Sequence, residues 1–199
     1  MSEHRQSSDG GSLGMWLFIA TELLLFGGLF LLYSMYRFKN PGAFHAGSME
    51  LSRLFGTLNT CILITSSFTV ALAVHALGAG ERKNAVSFLL ATVGLALGFL
   101  IVKAFEWSEK FRHGLFPNAS VLMEKPKGEI LYFGLYFTMT GLHALHVLVG
   151  IGVLSVCTGM VVRNRITADR PVVLRNAGLY WHLVDIVWIF LFPLFYLIT

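Results

Sequence analysis

Five apolar runs, each long enough to cross a bilayer, govern what this chain can fold into. They cover Leu13–Tyr36, Gly56–Leu77, Ala85–Trp107, Ile130–Val162 and Ala177–Ile198. A helix needs about 20 apolar residues to cross the hydrocarbon layer. Within lipid, only helices and closed barrels satisfy every backbone polar group. The runs are too long and too uniformly apolar for barrel strands, which alternate over about 10 residues. The expected fold is therefore all-α: a polytopic membrane bundle of five transmembrane helices over residues 13–199. A polar, Gly/Ser-rich segment at 1–12 precedes it, and the chain is expected to start disordered over Met1–Gly14. The first run is too long for a signal-peptide core and lacks a small-residue cleavage site, so it reads as a retained helix.

Composition agrees with lipid as the main solvent. The 199 residues are 55% hydrophobic and 13% charged, against about 25% charged in soluble domains. The net charge of +4 lies in the gaps between runs, without Lys/Arg-rich stretches carrying interleaved aromatics. Nucleic-acid binding is thereby rejected, and contact with anionic headgroups fits the gap charges. Cys61 and Cys157 both lie inside apolar runs and read as packed side chains. The connections carry turn formers: Asn40-Pro41-Gly42, Gly78–Lys83, Gly114–Gly128 with two prolines, and Arg163–Arg175 with Pro171. Gly94 and Gly98 form a small-xxx-small pair that lets another helix come close.

Five spans put the two ends of the chain on opposite sides. Arg5, Arg82, Lys83, Arg163, Arg165, Arg170 and Arg175 fall on the N-terminal side, and Arg37, Lys39, Arg53, Lys110, Arg112, Lys125 and Lys127 on the other. The totals balance. The short, Arg- and Lys-dense internal loops favour a cytoplasmic N-terminus.

Ionisable residues inside a span cost several kcal/mol, about 2.5–3.5 for Asp at a helix centre, so they carry most of the functional information. Glu22 and Asp185 enter from the same side to similar depth. His182 shares a helix face with Asp185, and His75 lies on that side by topology. These four are expected to form a buried polar layer and are candidates for proton handling. Lys103 and Glu106, at i, i+3 near the opposite surface, can pair, and Lys103 can snorkel. His143 and His146 share a face of the fourth run near mid-membrane. Interhelical hydrogen bonding is the plain reading of this second set. Metal or haem ligation would want further ligands, such as Glu-x-x-His pairs on facing helices, and none is present. For Glu22 a structural and a proton-handling role stay open. No Gly-x-Ser-x-Gly elbow, phosphate-cradling loop or Cys/His cluster points to soluble-enzyme chemistry.

Several segments together resemble subunit III of the haem-copper oxidases. The first run reads Trp16-Leu-Phe-Ile-Ala-Thr-Glu22, like the family's helix with a buried Ser/Thr-Glu. The second carries Asn59-Thr60, Ser66-Ser67 and His75-Ala-Leu77, and the third ends Phe105-Glu106-Trp107. The fourth has Thr140-Gly-Leu-His143-Ala-Leu-His146-Val147. The fifth has Tyr180-Trp-His-Leu-Val-Asp185-Ile-Val-Trp188. The resemblance runs from about Gly14 to the C-terminus.

It implies a non-catalytic accessory subunit in a proton-pumping cytochrome c oxidase. Such a subunit packs against subunit I, within a complex that includes subunit II, and binds phospholipid. It carries no cofactor; haem and copper belong to partner subunits, and cytochrome c is met only through the complex. Glu22 matches the family's carbodiimide-reactive carboxylate. The implied location is a bacterial inner membrane. Two departures stand out: the chain has five helices where long members have seven, and Lys103 stands where the family usually has Gln. Alternatives are subunit III of a quinol oxidase or of a nitric-oxide-reductase-associated homologue, a stand-alone proton-coupled transporter lined by Glu22, His143 and Asp185, and a haem-binding membrane cytochrome using His143 or His146.

Overall fold

The computed structural model describes residues 2–198, with side chains from residue 13 onward. The expectations of a disordered start and of a separate polar segment over 1–12 lie outside the residues described in full. Seven helices follow one another: α1 (Ser2–Lys39), α2 (Pro41–Met49), α3 (Arg53–Gly78), α4 (Arg82–Arg112), α5 (Ser120–Met123), α6 (Lys127–Val162) and α7 (Val172–Tyr196). No strand occurs among the described residues. Five helices are long and apolar enough to cross a membrane: Leu13–Lys39 of α1, and α3, α4, α6 and α7. The chain is a multi-pass membrane protein.

The spans match the apolar runs but extend past them, because polar residues continue each helix into the interface. The short helices α2 and α5 occupy stretches that read as breaks. Pro41 ends α1 and opens α2 as its first residue, where its missing N–H costs no hydrogen bond. Phe44 of α2 then inserts between Tyr33 and Tyr132, with ring centroids 5.3 and 5.4 Å away.

The tight reversals share one device. Gly80, Gly114 and Asn164 have φ of 79°, 67° and 57° after α3, α4 and α6. In each case the next residue's N–H reaches back five residues: Glu81 to Ala76, Leu115 to Lys110, and Arg165 to Met160. This left-handed closure satisfies carbonyls that a helix end leaves free.

Helices α3, α4, α6 and α7 form a ring in that order, with α7 back against α3. Helix α1 lies outside the ring against α6 and α7, and it is the least buried of the five spans. Indole N–H groups tie α7 to α3: Trp181 donates to the Ser66 hydroxyl and Trp188 to the Thr60 hydroxyl, each at 3.0 Å. The end of α7 is held by tyrosines. Tyr132 donates to the Phe195 carbonyl at 2.7 Å, and Tyr33 donates to the Leu194 carbonyl. Gly150 lets α6 approach the Trp181 ring, where a Cβ would stand 2.6 Å from the indole.

The Gly94–Gly98 pair does not serve a contact within this chain. A Cβ added at either would meet nothing within 4 Å. The pair lies on the side of α4 opposite Thr92, Ala96 and Phe99, which fill the ring interior.

Candidate functional site

Two polar centres, one buried and one partly buried, hold the helices together. The first lies where α4, α6 and α7 meet. Lys103 and Glu106 share a face of α4, and their ion pair measures 3.2 Å with exposures of 3% and 0%. Lys103 Nζ also donates to Tyr136 Oη at 3.0 Å and to Tyr196 Oη at 2.7 Å. Both tyrosine hydroxyls donate onward to Glu106 Oε1, at 2.8 and 2.6 Å. All three ammonium protons thus have acceptors, and both carboxylate oxygens are hydrogen-bonded. Such closure is what makes a buried ion pair tolerable in a low-dielectric core. The ammonium also stands 5.2 Å from the Trp188 ring centre, a cation–π distance.

Lys103 therefore does not snorkel. The apolar run ends at Trp107, which makes position 103 look near the surface. Helix α4 continues to Arg112, so Lys103 sits nine residues, or about 13 Å at 1.5 Å per residue, below its end.

The second centre joins α1 to the ring. Glu22 Oε2 lies 2.9 Å from His146 Nε2, with side-chain exposures of 14% and 15%. His146 Nδ1 lies 2.8 Å from the Leu142 carbonyl, and the Tyr180 hydroxyl donates to the His146 carbonyl at 3.0 Å. A carbonyl only accepts, so Nδ1 carries a proton. The Nε2–Oε2 bond then needs one proton of its own. Glu22 and His146 therefore share a single proton, whichever atom holds it, and the pair is neutral as a unit.

The expected four-residue layer is not assembled. Glu22 meets His146 rather than His182 or Asp185, and His75 stands on the exposed outside of α3. Counting inward from each run's edge gives depth but not helix face: His75 lies near the end of α3 on its exposed side, and Glu22 faces His146 of α6. Glu22 is about 13 Å and His146 about 24 Å from the N-terminal-side ends of their spans at 1.5 Å per residue. His182 is half-buried, with Nδ1 2.6 Å from the Ser67 hydroxyl. Asp185 is buried beside the same Ser67 side chain, and neither carboxylate oxygen has a well-aligned hydrogen bond among the described residues. The same holds for both ring nitrogens of His143. That ring packs edge-on to Phe99 at 5.5 Å and tilted against Trp188 at 5.2 Å.

The hydrogen-bonding roles of Tyr136, Tyr180 and Tyr196 escaped sequence reasoning. The available signal was a hydroxyl inside a span, which has to find an acceptor. Among the described residues, no three His, Cys, Asp or Glu side chains converge as metal donors would.

The sequence profile described as "Cytochrome c oxidase subunit III" matches residues 2–199. The chain belongs to the cytochrome c oxidase subunit III family. It is 31% identical to cytochrome c oxidase subunit 3 of Corynebacterium diphtheriae, over 94% of this chain and 87% of that relative. It is 27% identical to cytochrome bo(3) ubiquinol oxidase subunit 3 of Pseudomonas aeruginosa, over 98% and 88%. Against the heme-copper oxidase subunit I+III of Aeropyrum pernix it is 32% identical over 92% of its own length, and it spans 22% of that polypeptide. Within this subunit III fold, the Tyr180–Trp188 segment ties α7 to its neighbours: Tyr180 bonds α6, while Trp181, His182 and Trp188 bond α3.

Proposed function

We propose that the chain is the accessory third subunit of a proton-pumping haem-copper oxidase that reduces oxygen, with cytochrome c as the electron donor of the complex. It packs beside subunit I, in a complex that includes subunit II, and itself holds neither haem nor copper. The carrying observation is how its ionisable interior is arranged. Lys103, Glu106, Glu22 and His146 are taken up in binding helix to helix. The Aeropyrum pernix relative, whose name joins subunits I and III in one polypeptide, supports a place beside subunit I.

Two functional duties follow. The long apolar perimeter retains phospholipid against the oxidase. The Glu22–His146 pair, holding one proton at the seam between α1 and α6, stabilises that seam and aids proton uptake. The membrane is a bacterial inner membrane, with the N-terminus cytoplasmic. The exposed Arg163, Arg165, Arg170 and Arg175 lie on that side, in keeping with the positive-inside bias.

The test is gentle solubilisation followed by a chain list, a haem spectrum and turnover measurements. Co-purification with haem-bearing partners is expected. Stripping this subunit should leave haem per complex unchanged while shortening the catalytic lifetime. Loss of haem on stripping would overturn the cofactor-free assignment, and activity of the chain alone in liposomes would favour a transporter. The Pseudomonas aeruginosa relative, named for a ubiquinol oxidase, supports a second reading with quinol as donor. Reduction by quinol in the absence of cytochrome c would decide for it.

A further inference from the structure

Tyr180 and His182 leave α7 on opposite sides. Tyr180 reaches α6, and His182 reaches α3, where its Nδ1 lies 2.6 Å from the Ser67 hydroxyl. One turn further along α7, Asp185 is 3% exposed and stands beside the same Ser67 side chain. No ion pair among the described residues includes Asp185. Ionisable groups of the packed helices are engaged elsewhere: Glu22 of α1 meets His146 of α6, Lys103 of α4 meets Glu106, and His143 of α6 packs on Phe99 and Trp188. On its outer side, His182 lines a groove of about 270 Å³ between α3 and α7, which runs to the exposed Arg175 on the N-terminal side. A buried carboxylate with no cation and no aligned donor is costly to hold. The neutralising partner that this setting offers is a proton.

We propose that Asp185, Ser67 and His182 form a proton-binding site, in which Asp185 holds the proton and His182 exchanges it with water in the groove. A groove of that size has room for several waters, at about 30 Å³ each, and Arg175 keeps its mouth polar. Ser67 suits the middle position, since a hydroxyl donates one hydrogen and accepts through two lone pairs. With the acid neutral, Asp185 O–H donates to Ser67 Oγ, and Ser67 O–H donates to His182 Nδ1. With a proton newly arrived on Nε2, the imidazolium Nδ1–H donates to Oγ, and Ser67 O–H donates to the carboxylate. Moving both bridging hydrogens toward Asp185 turns the second state into the first. The ring is left neutral and protonated on Nε2, the carboxylate becomes a neutral acid, and only N–H and O–H bonds break and form. Aligning the Asp185 oxygens takes a turn about χ2, a torsion with a broad well. In a nucleophilic triad the acid sits on the imidazole's far nitrogen; here it sits beside the hydroxyl, the order of a relay. The site is separate from the Glu22–His146 pair and belongs to this chain alone, so its failure leaves the oxidase assignment standing.

The experiment is infrared spectroscopy of the full chain in lipid nanodiscs, with and without isotopically labelled aspartate. Of Asp9, Asp169 and Asp185, only Asp185 lies inside a span. A protonated-carboxyl band that shifts with the aspartate label is expected at neutral pH, and Asp185→Asn should remove it. In heavy water the band should shift promptly in the wild type. Ser67→Ala and His182→Phe should keep the band and slow that shift about a hundredfold, the lower end of what a positioned acid–base group contributes. Absence of a protonated-aspartate band from the wild type, a result that needs no variant to fold, would overturn the site. A band that survives Asp185→Asn would do the same. An unslowed shift in either Ser67→Ala or His182→Phe would overturn the relay.

Discussion

Glu22 on α1 and His146 on α6 meet at 2.9 Å, and His146 has already committed its other nitrogen to the Leu142 carbonyl. The contact is a polar link between the outermost helix and the ring, beside the Tyr33 hydrogen bond to the Leu194 carbonyl, and it contains one proton for two bases. Replacing the acid by an amide keeps the link, because a Gln side chain can donate an N–H to Nε2. Glu22→Gln should therefore assemble normally, with little change in thermal unfolding, while any proton-uptake effect in the complex is lost. Glu22→Leu leaves Nε2 without a partner and should destabilise by about 1–3 kcal/mol. Thermal unfolding of both variants in one detergent, together with steady-state turnover of the complex, checks this.

The Lys103 centre makes a steeper prediction. Lys103→Met leaves Glu106 as an uncompensated buried carboxylate and should cost about 3–5 kcal/mol. Adding Glu106→Gln to that variant should recover most of the loss, since the remaining groups are neutral and keep tyrosine partners. The double-mutant cycle, read by denaturant or thermal unfolding, measures the coupling. A double variant as unstable as Lys103→Met would contradict the assignment.

Tyr136→Phe and Tyr196→Phe each remove one donor to Glu106 and one acceptor for Lys103. Each should cost about 1.5–3 kcal/mol, the range for hydrogen bonds to charged groups. A loss confined to Tyr136→Phe would mean that the end of α7 is not held as described.

Glycine contacts separate inner from outer faces. Gly150→Ala places a methyl 2.6 Å from the Trp181 ring and should destabilise by about 1–3 kcal/mol through overpacking. Gly94→Ala meets open space and should be neutral or stabilising in the isolated chain, since Ala is the better helix former. If Gly94→Ala weakens assembly of the complex while leaving the free chain intact, a partner helix rests on that side of α4.

Outside the spans, Lys125 donates to Glu129 at 2.9 Å. That hydrogen bond raises the lysine above its ordinary value of 10.5, with the Glu129 and Glu50 charges adding to it. A lysine raised on folding contributes stability that is fully present below its unfolded value. The contribution is lost as pH climbs through the raised folded value. The contact is part-buried at the rim of the protein, and its contribution is small. Stability curves of the wild type and Lys125→Met should coincide in shape below pH 10 and separate only in the alkaline limb.

The spans were legible because each apolar run is long and uninterrupted, a property that lipid demands directly. Their ends were less so: Lys39, Arg53 and Arg112 continue the helices although their charges read as boundaries. That extension is what buries Lys103. The chain order of polar residues was legible too, but their partners depend on which helix face each one occupies and which helix packs there, which residue counting within a run does not contain. Glu22 and His146 meet for that reason, as His75 and Glu22 do not. Helix faces are also ambiguous in a span whose lipid side is as apolar as its inner side, so the outward aim of Gly94 and Gly98 left no trace in the sequence.

The tyrosine-closed cage has a bearing on biogenesis. Helix α4 is threaded into the bilayer carrying a lysine and a glutamate, while the hydroxyl of Tyr196 arrives only later, with α7. Until then the nascent protein holds a half-completed cage that invites water or chaperoning factors. Docking of α7 is therefore what completes the partner set of Lys103 and Glu106.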